Sequence, residues 1–152
     1  MVVRGEDGYE IDTAPDRLNV VLVHHIALVH HRLSTGAFWA LGRSRETVEQ
    51  SVRASLGFGV YHPGGPPVAH ARVVTDLATF ARSCDVYVAP THRGMGLGTW
   101  LAATVRDHLV PCRPKRVLLS TLDAHQVYER VGSVPFPDPQ KMMVLNAPGP
   151  PP

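Results

Sequence analysis

At 152 residues and 44% hydrophobic content, the chain holds enough apolar material for one core of ordinary size, so a single domain is expected. A formal charge of +2, a pI near 8.7 and the lack of any lysine/arginine block argue against nucleic-acid or polybasic membrane partners, while a small anionic ligand stays compatible. Two cysteines, Cys84 and Cys112, with no C-x-x-C pair, exclude a disulfide framework and fit a reducing compartment.

Met1 to Gly8 lacks the apolar core of a signal peptide. The longest apolar stretch, Val20 to Val29, is broken by His24-His25 and is shorter than the about 20 residues that span a bilayer. A cytoplasmic, soluble protein is therefore expected. Tyr9 to Thr13 reads as a first strand. Apolar positions from Leu18 to Leu33 recur at helical spacing and predict an amphipathic helix. Its histidines, His24, His25, His30 and His31, offer no i, i+4 pair, and His24 and His31 stand about 10 Å apart along the axis, so no metal is expected. Ser34 to Arg43 is a loop carrying Phe38 and Trp39. A second helix starts at Ser44 to Thr47, weakly capped because Thr47 replaces the glutamate of a capping box, and runs to Ala54.

Leu56 to Tyr61 and Val68 to Thr75 form a hairpin around the turn-rich His62 to Pro67. Asp76 to Arg82 is a link, Ser83 to Val88 a strand, and Leu97 to Leu109 a helix closed by Pro111 and Pro114. Then come a strand from Arg116 to Thr121, a short helix from Ala124 to Val131 capped by Gly132, and a last strand from Lys141 to Asn146. The domain is expected over residues 1–146, with 147–152 a disordered proline-rich tail.

The most telling stretch is Val86 to Leu101: strand, glycine-rich turn, helix start. A helix N-terminus leaves amides unpaired at the positive end of the peptide dipoles, so a turn with little side-chain bulk there can hold phosphate oxygens. The bland alternative is a surface turn that only caps a helix. No lysine follows Gly98, which excludes a Walker loop, and Gly94, Gly96 and Gly98 alternate, unlike a dinucleotide fingerprint. What remains, R-G-x-G-x-G after an apolar strand, closely resembles the acyl-CoA loop of the GNAT superfamily of N-acetyltransferases. Arg93, Gly96 and Gly98 fill its three marked places. Phe38-Trp39-Ala40 with Gly42-Arg43, Ala71 to Asp76 with Ala78 to Ala81, and Thr121 to His125 carry the same resemblance, which covers nearly the whole chain.

The resemblance implies an α/β (mixed α+β) fold, a central, mostly antiparallel mixed sheet with helices on both faces, and acetyl-CoA as co-substrate. It puts the diphosphate on the turn Gly94, Met95, Gly96, Leu97, Gly98 and Thr99 with Arg93 at the rim. The pantetheine arm would lie along Val86, Tyr87 and Val88, where the strand splays from its neighbour and a main-chain amide polarises the thioester carbonyl. Tyr128 is the implied general acid, although Ser133 stands where the pattern has phenylalanine. The position aligned with the base of some relatives holds Arg82. Asp85 is the candidate base, with an ion pair to Arg72 or Arg82 and a water chain as the alternatives. His125, three residues before Tyr128, shares its helix face and could orient the phenol or shuttle a proton. Phe38, Trp39 and Arg43, with the carboxylate of Asp76, are the acceptor-side residues, or else Phe38 and Trp39 merely anchor their loop. The expected reaction is acetyl transfer to a primary amine of a small molecule, with a protein N-terminus or lysine as the other acceptor, by direct attack in a ternary complex. A non-catalytic acyl-CoA sensor and a nucleotide-binding protein are the other readings. Dimerisation is a family expectation.

Overall fold

Apolar side chains alternating along paired segments set the register of a six-stranded sheet, ordered β1-β2-β3-β4-β5-β6. The structure, a computed structural model, describes residues 1–5, 7–14, 44–63 and 65–145. The predicted helix Leu18 to Leu33, the loop with Phe38, Trp39 and Arg43, Asn146 and the 147–152 tail lie outside the described residues.

Strands β1 (Val2–Arg4), β2 (Glu10–Asp12), β3 (Leu56–Tyr61), β4 (Pro67–Thr75) and β5 (Ala81–Val88) pair antiparallel in succession, and β6 (Val117–Leu118) joins β5 in parallel. Sequence reasoning missed β1, whose three residues are too few to show a period; Gly5 N–H donating to the Tyr9 carbonyl at 2.7 Å closes its hairpin with β2. Helix α1 (Arg45–Arg53) begins on Ser44, whose Oγ accepts from the Thr47 amide at 3.1 Å. Helix α2 spans Leu97–Leu109 as its capping signals indicate. The short α3 covers His125–Glu129, with Gly132 following at φ 92°.

Leu97, Leu101, Val105 and Leu109 repeat at i, i+4 and present one buried stripe of α2. They belong to a single core with Ile11, Phe58, Val60, Ala69, Ala71 and Val73. Cross-strand partners share a face, so Ile11, Val60 and Ala69 lie on that side. The opposite face carries a row of partners, Asp12, Gly59, His70 and Tyr87. The Tyr61 ring lies over Gly59, where a Cβ would come within 2.6 Å of the phenol oxygen, so only glycine fits.

The three larger differences from expectation concern strands. Strand β5 begins at Ala81, two residues before the predicted Ser83, because the Asp76 turn delivers the chain to the β4 edge early. The strand expected from Arg116 to Thr121 reduces to Val117–Leu118, the only residues there that meet β5. The final strand from Lys141 does not form: a 3-10 turn covers Pro139–Lys141, and residues 142–145 are exposed and pair with no strand among the described residues. The proline spacing of Pro135, Pro137 and Pro139 denies that approach the amide donors a ladder needs.

Candidate active site

Strand β5 carries a bulge. His70 pairs with Tyr87 and Arg72 with Cys84, so β5 spends one residue more than β4 over the same interval. Asp85 sits there at φ 50°, in the left-handed region. Its buried carboxylate accepts from Arg72 Nε at 2.7 Å, and Arg72 Nη1 also donates to Ser55 Oγ at 3.4 Å. Of the alternatives open for Asp85, the ion pair to Arg72 is the one formed. Beside it His70 is buried, and desolvation pulls its pKa down to about 4 although a hydrogen bond to the Asp85 backbone and the Asp85 charge act the other way. The imidazole is therefore neutral at pH 7. Sequence reasoning passed over His70 as a site residue; its signal was a pair of polar residues, His70 and Arg72, alternating through an apolar strand.

Beyond the bulge, β5 loses its outer neighbour. Parallel pairing with β6 is confined to Ala81 with Val117 and Arg82 with Leu118, so among the described residues the stretch reaching Val88 has an open edge. The Ala89 amide donates to the Val68 carbonyl at 2.8 Å on the β4 side, hence the polar groups of Val88 point to the open side. There Arg93 Nε donates to the Val88 carbonyl at 3.0 Å, with its guanidinium 5.8 Å from the centre of the Tyr87 ring. Arg93, expected at the rim of the turn, thus folds back on the strand edge.

A 3-10 turn over Pro90–His92 leads into Gly94 at φ 79° and Gly96 at φ 78°, the latter capping α2. A Cβ added at Gly94 or Gly96 would meet nothing within 4 Å, so the space in front of the turn is open. The first amide bonded within the helix is that of Trp100, to the Gly96 carbonyl at 3.0 Å, which leaves the Leu97, Gly98 and Thr99 amides without intrahelical acceptors. Gly98 lies where a Cβ would stand 3.7 Å from Val88 and 3.8 Å from Val127, so turn, strand edge and α3 converge on it.

Tyr128, next to Val127, lines a cavity of about 760 Å³ with His125, Ser120 and Thr121, between α2, β6 and α3. Burial, helped by the Asp123 carboxylate, raises the phenol above its ordinary pKa and keeps it protonated. None of the residues of the glycine turn is among those lining this cavity, although Val127, next to Tyr128, lies beside Gly98 at the start of α2. Asp76 is occupied otherwise: its Oδ1 accepts from the amides of Ala78, Thr79 and Phe80, and its Oδ2 from the Thr79 hydroxyl at 2.6 Å. These bonds, the Thr79 hydroxyl first, hold its carboxyl far below the usual range. Among the described residues no group of three or more His, Cys, Asp or Glu side chains gathers as metal ligands, and no helix is long and apolar enough to cross a membrane.

A mostly antiparallel sheet that opens at its last strand, beside a glycine turn with free helical amides, defines an acyl-CoA-type transferase fold. Residues 29–132 match the model of the Acetyltransferase (GNAT) family, and the chain belongs to that family. It is similar to a GNAT-family protein of Xanthomonas campestris pv. campestris, provisionally named an acetyltransferase, whose crystal structure is 36% identical and superposes with a TM-score of 0.82 over 95% of this chain and 97% of that one. The N-acetylglutamate synthase of Neisseria gonorrhoeae, solved with coenzyme A and N-acetyl-glutamate, shares the fold at 21% identity and a TM-score of 0.63, over 84% of this chain and 28% of that one. A Gibberella zeae protein, also provisionally named an acetyltransferase, is 28% identical over 109 residues, 60% of this chain; the match spans 62% of that protein's length. Family membership implies acyl-CoA-dependent acetyl transfer.

Proposed function

We propose that this protein is an acetyl-CoA-dependent N-acetyltransferase acting on a primary amine of a small molecule, by direct attack in a ternary complex. The observation that carries this reading is the open turn at Gly94 and Gly96, with unpaired helical amides behind it and an open strand edge leading to it. Diphosphate oxygens fit those amides, and an extended pantetheine arm fits the β5 edge as an added strand, as expected for the coenzyme A seen in the Neisseria relative. Arg93 would release the Val88 carbonyl and turn to the diphosphate.

Acetyl-CoA supplies an acyl group activated as a thioester. A main-chain amide of the bulged strand would polarise its carbonyl while the neutral amine attacks. Tyr128, a phenol held protonated, can give its proton to a departing thiolate, whose parent pKa is about 8.5. Asp85 makes a poor base, since its buried carboxylate is committed to Arg72. The amine proton instead leaves through water.

Coenzyme A release measured over a panel of amines tests the proposal. Turnover with at least one small amine supports it. Binding of acetyl-CoA with no turnover on any acceptor would identify a sensor, and competition by ATP without pantetheine dependence would identify a nucleotide binder.

A further inference from the structure

Ala81 and Arg82 of β5 lie between β4 and β6, whereas Tyr87 and Val88 pair with β4 alone among the described residues. The bulge falls between those two stretches, with Asp85 and Val86 set against the single residue Ala71. The Ala89 amide bonds to β4, and strand alternation then turns Tyr87 towards β4 and Val86, like Val88, towards the open edge. A bulge that slid along β5 by one residue would reverse the direction of Val86.

The residue at the bulge needs an anchor to stay there. A bulge position in the left-handed region is ordinarily glycine, yet Asp85 occupies it at φ 50°. Its carboxylate accepts from Arg72 Nε at 2.7 Å, the two side chains being 4% and 12% exposed, and Arg72 Nη1 reaches Ser55 Oγ just past α1. Ser55 in turn donates to the Ser51 carbonyl, so one guanidinium ties the bulge to the end of that helix. A buried ion pair adds little net stability over apolar side chains of the same size, because lost hydration offsets the attraction. What it supplies is a fixed distance and direction.

We propose that Arg72 and Asp85 are positioning residues for acyl transfer: their ion pair clamps the bulge in place and so keeps the Val86 amide on the open edge, where it meets the thioester carbonyl. The inference rests on the acetyl-transfer reading and gives the Asp85 carboxylate a task other than that of a base.

Two double variants separate the clamp from the chemistry. Arg72→Met with Asp85→Ala removes both charges together, so neither stays buried without its partner, and leaves at φ 50° a residue that disfavours it. Arg72→Met with Asp85→Gly removes the same charges but puts there the residue that adopts this φ without strain. With the best amine of the panel, the alanine pair should lower kcat by about 100-fold, as a misplaced oxyanion donor does. Coenzyme A affinity should fall by no more than about tenfold, the worth of one hydrogen bond. The glycine pair should regain about tenfold or more of the lost kcat, since the strain it removes corresponds to that factor. Exchange of the Tyr87 amide, followed by NMR, should quicken by about tenfold in the alanine pair and slow again in the glycine pair. An alanine pair with unaltered kcat would overturn the proposal. So would a glycine pair as slow as the alanine pair, the result expected if the carboxylate itself took the amine proton. If the alanine pair does not fold, Arg72→Met with Asp85→Asn replaces it, and a kcat equal to that of the glycine pair overturns the proposal. An unaltered protein that turns over no amine would defeat the acetyl-transfer reading by itself; Tyr87 exchange then decides the clamp, and equal rates in all three proteins would overturn it.

Discussion

Tyr128 combines a raised pKa with a place beside the residue that touches the end of the glycine turn. Removing its hydroxyl should leave acetyl-CoA affinity unchanged and lower kcat by about 100-fold or more, as expected for a lost general acid; steady-state kinetics of Tyr128→Phe with the best amine of the panel checks this. Gly96 offers an independent test. At φ 78° an alanine costs about 1–2 kcal/mol of stability from its backbone alone, since its Cβ meets nothing within 4 Å. The new methyl projects into the space in front of the turn, so Gly96→Ala should weaken acetyl-CoA binding beyond the stability loss. Calorimetry on the folded variant reads this, and unchanged affinity would remove the diphosphate from this turn. The turn was legible because glycine spacing is a backbone signal printed directly in the sequence. The partner of Asp85 was legible only as a choice, since a bulge and a positive φ on a non-glycine residue leave no pattern in the sequence.

Elements bounded by their own end signals were readable. Helix α2 has glycine before it and Pro111 after it, and its span Leu97–Leu109 needed no tertiary information. Helix α1 gains from Ser44, which caps the Thr47 amide while its hydroxyl meets Thr47 Oγ1 at 2.9 Å, in place of the missing glutamate. Ser44→Ala should cost about 1 kcal/mol in urea unfolding. Strands near the end of the chain were less readable, because a strand exists only where a neighbour pairs with it. Val117–Leu118 is as short as its pairing with β5, and residues 142–145 have the apolar content of a strand but pair with none among the described residues.

At the scale of the whole molecule, the sheet separates an apolar face, packed by α2, from one that carries His70 and the Arg72–Asp85 pair. A histidine with a pKa of about 4 in the folded state and near 6.5 unfolded makes the fold sensitive to acid. The unfolded chain binds the extra proton between those values, so the stabilisation is complete above pH 6.5 and is lost as pH falls towards 4. The difference is of the order of 3 kcal/mol. Urea midpoints of the unaltered protein should fall across this window more steeply than those of His70→Gln. A flat profile in both would mean that the imidazole charges inside the fold.

The contact between Arg93 and the Val88 carbonyl has a consequence for the protein before any ligand arrives. A sheet that parts to admit an extended guest also invites stray peptides, and a bare acceptor on its rim is where such pairing would nucleate. The guanidinium occupies that acceptor, and under the proposed function it would release it to a visitor able to offer the cation something better, as a polyanionic headgroup can. On the proposed function, admission to the cleft would thereby favour guests bearing strong negative charge, and the empty molecule would be spared the stickiness of its own opening.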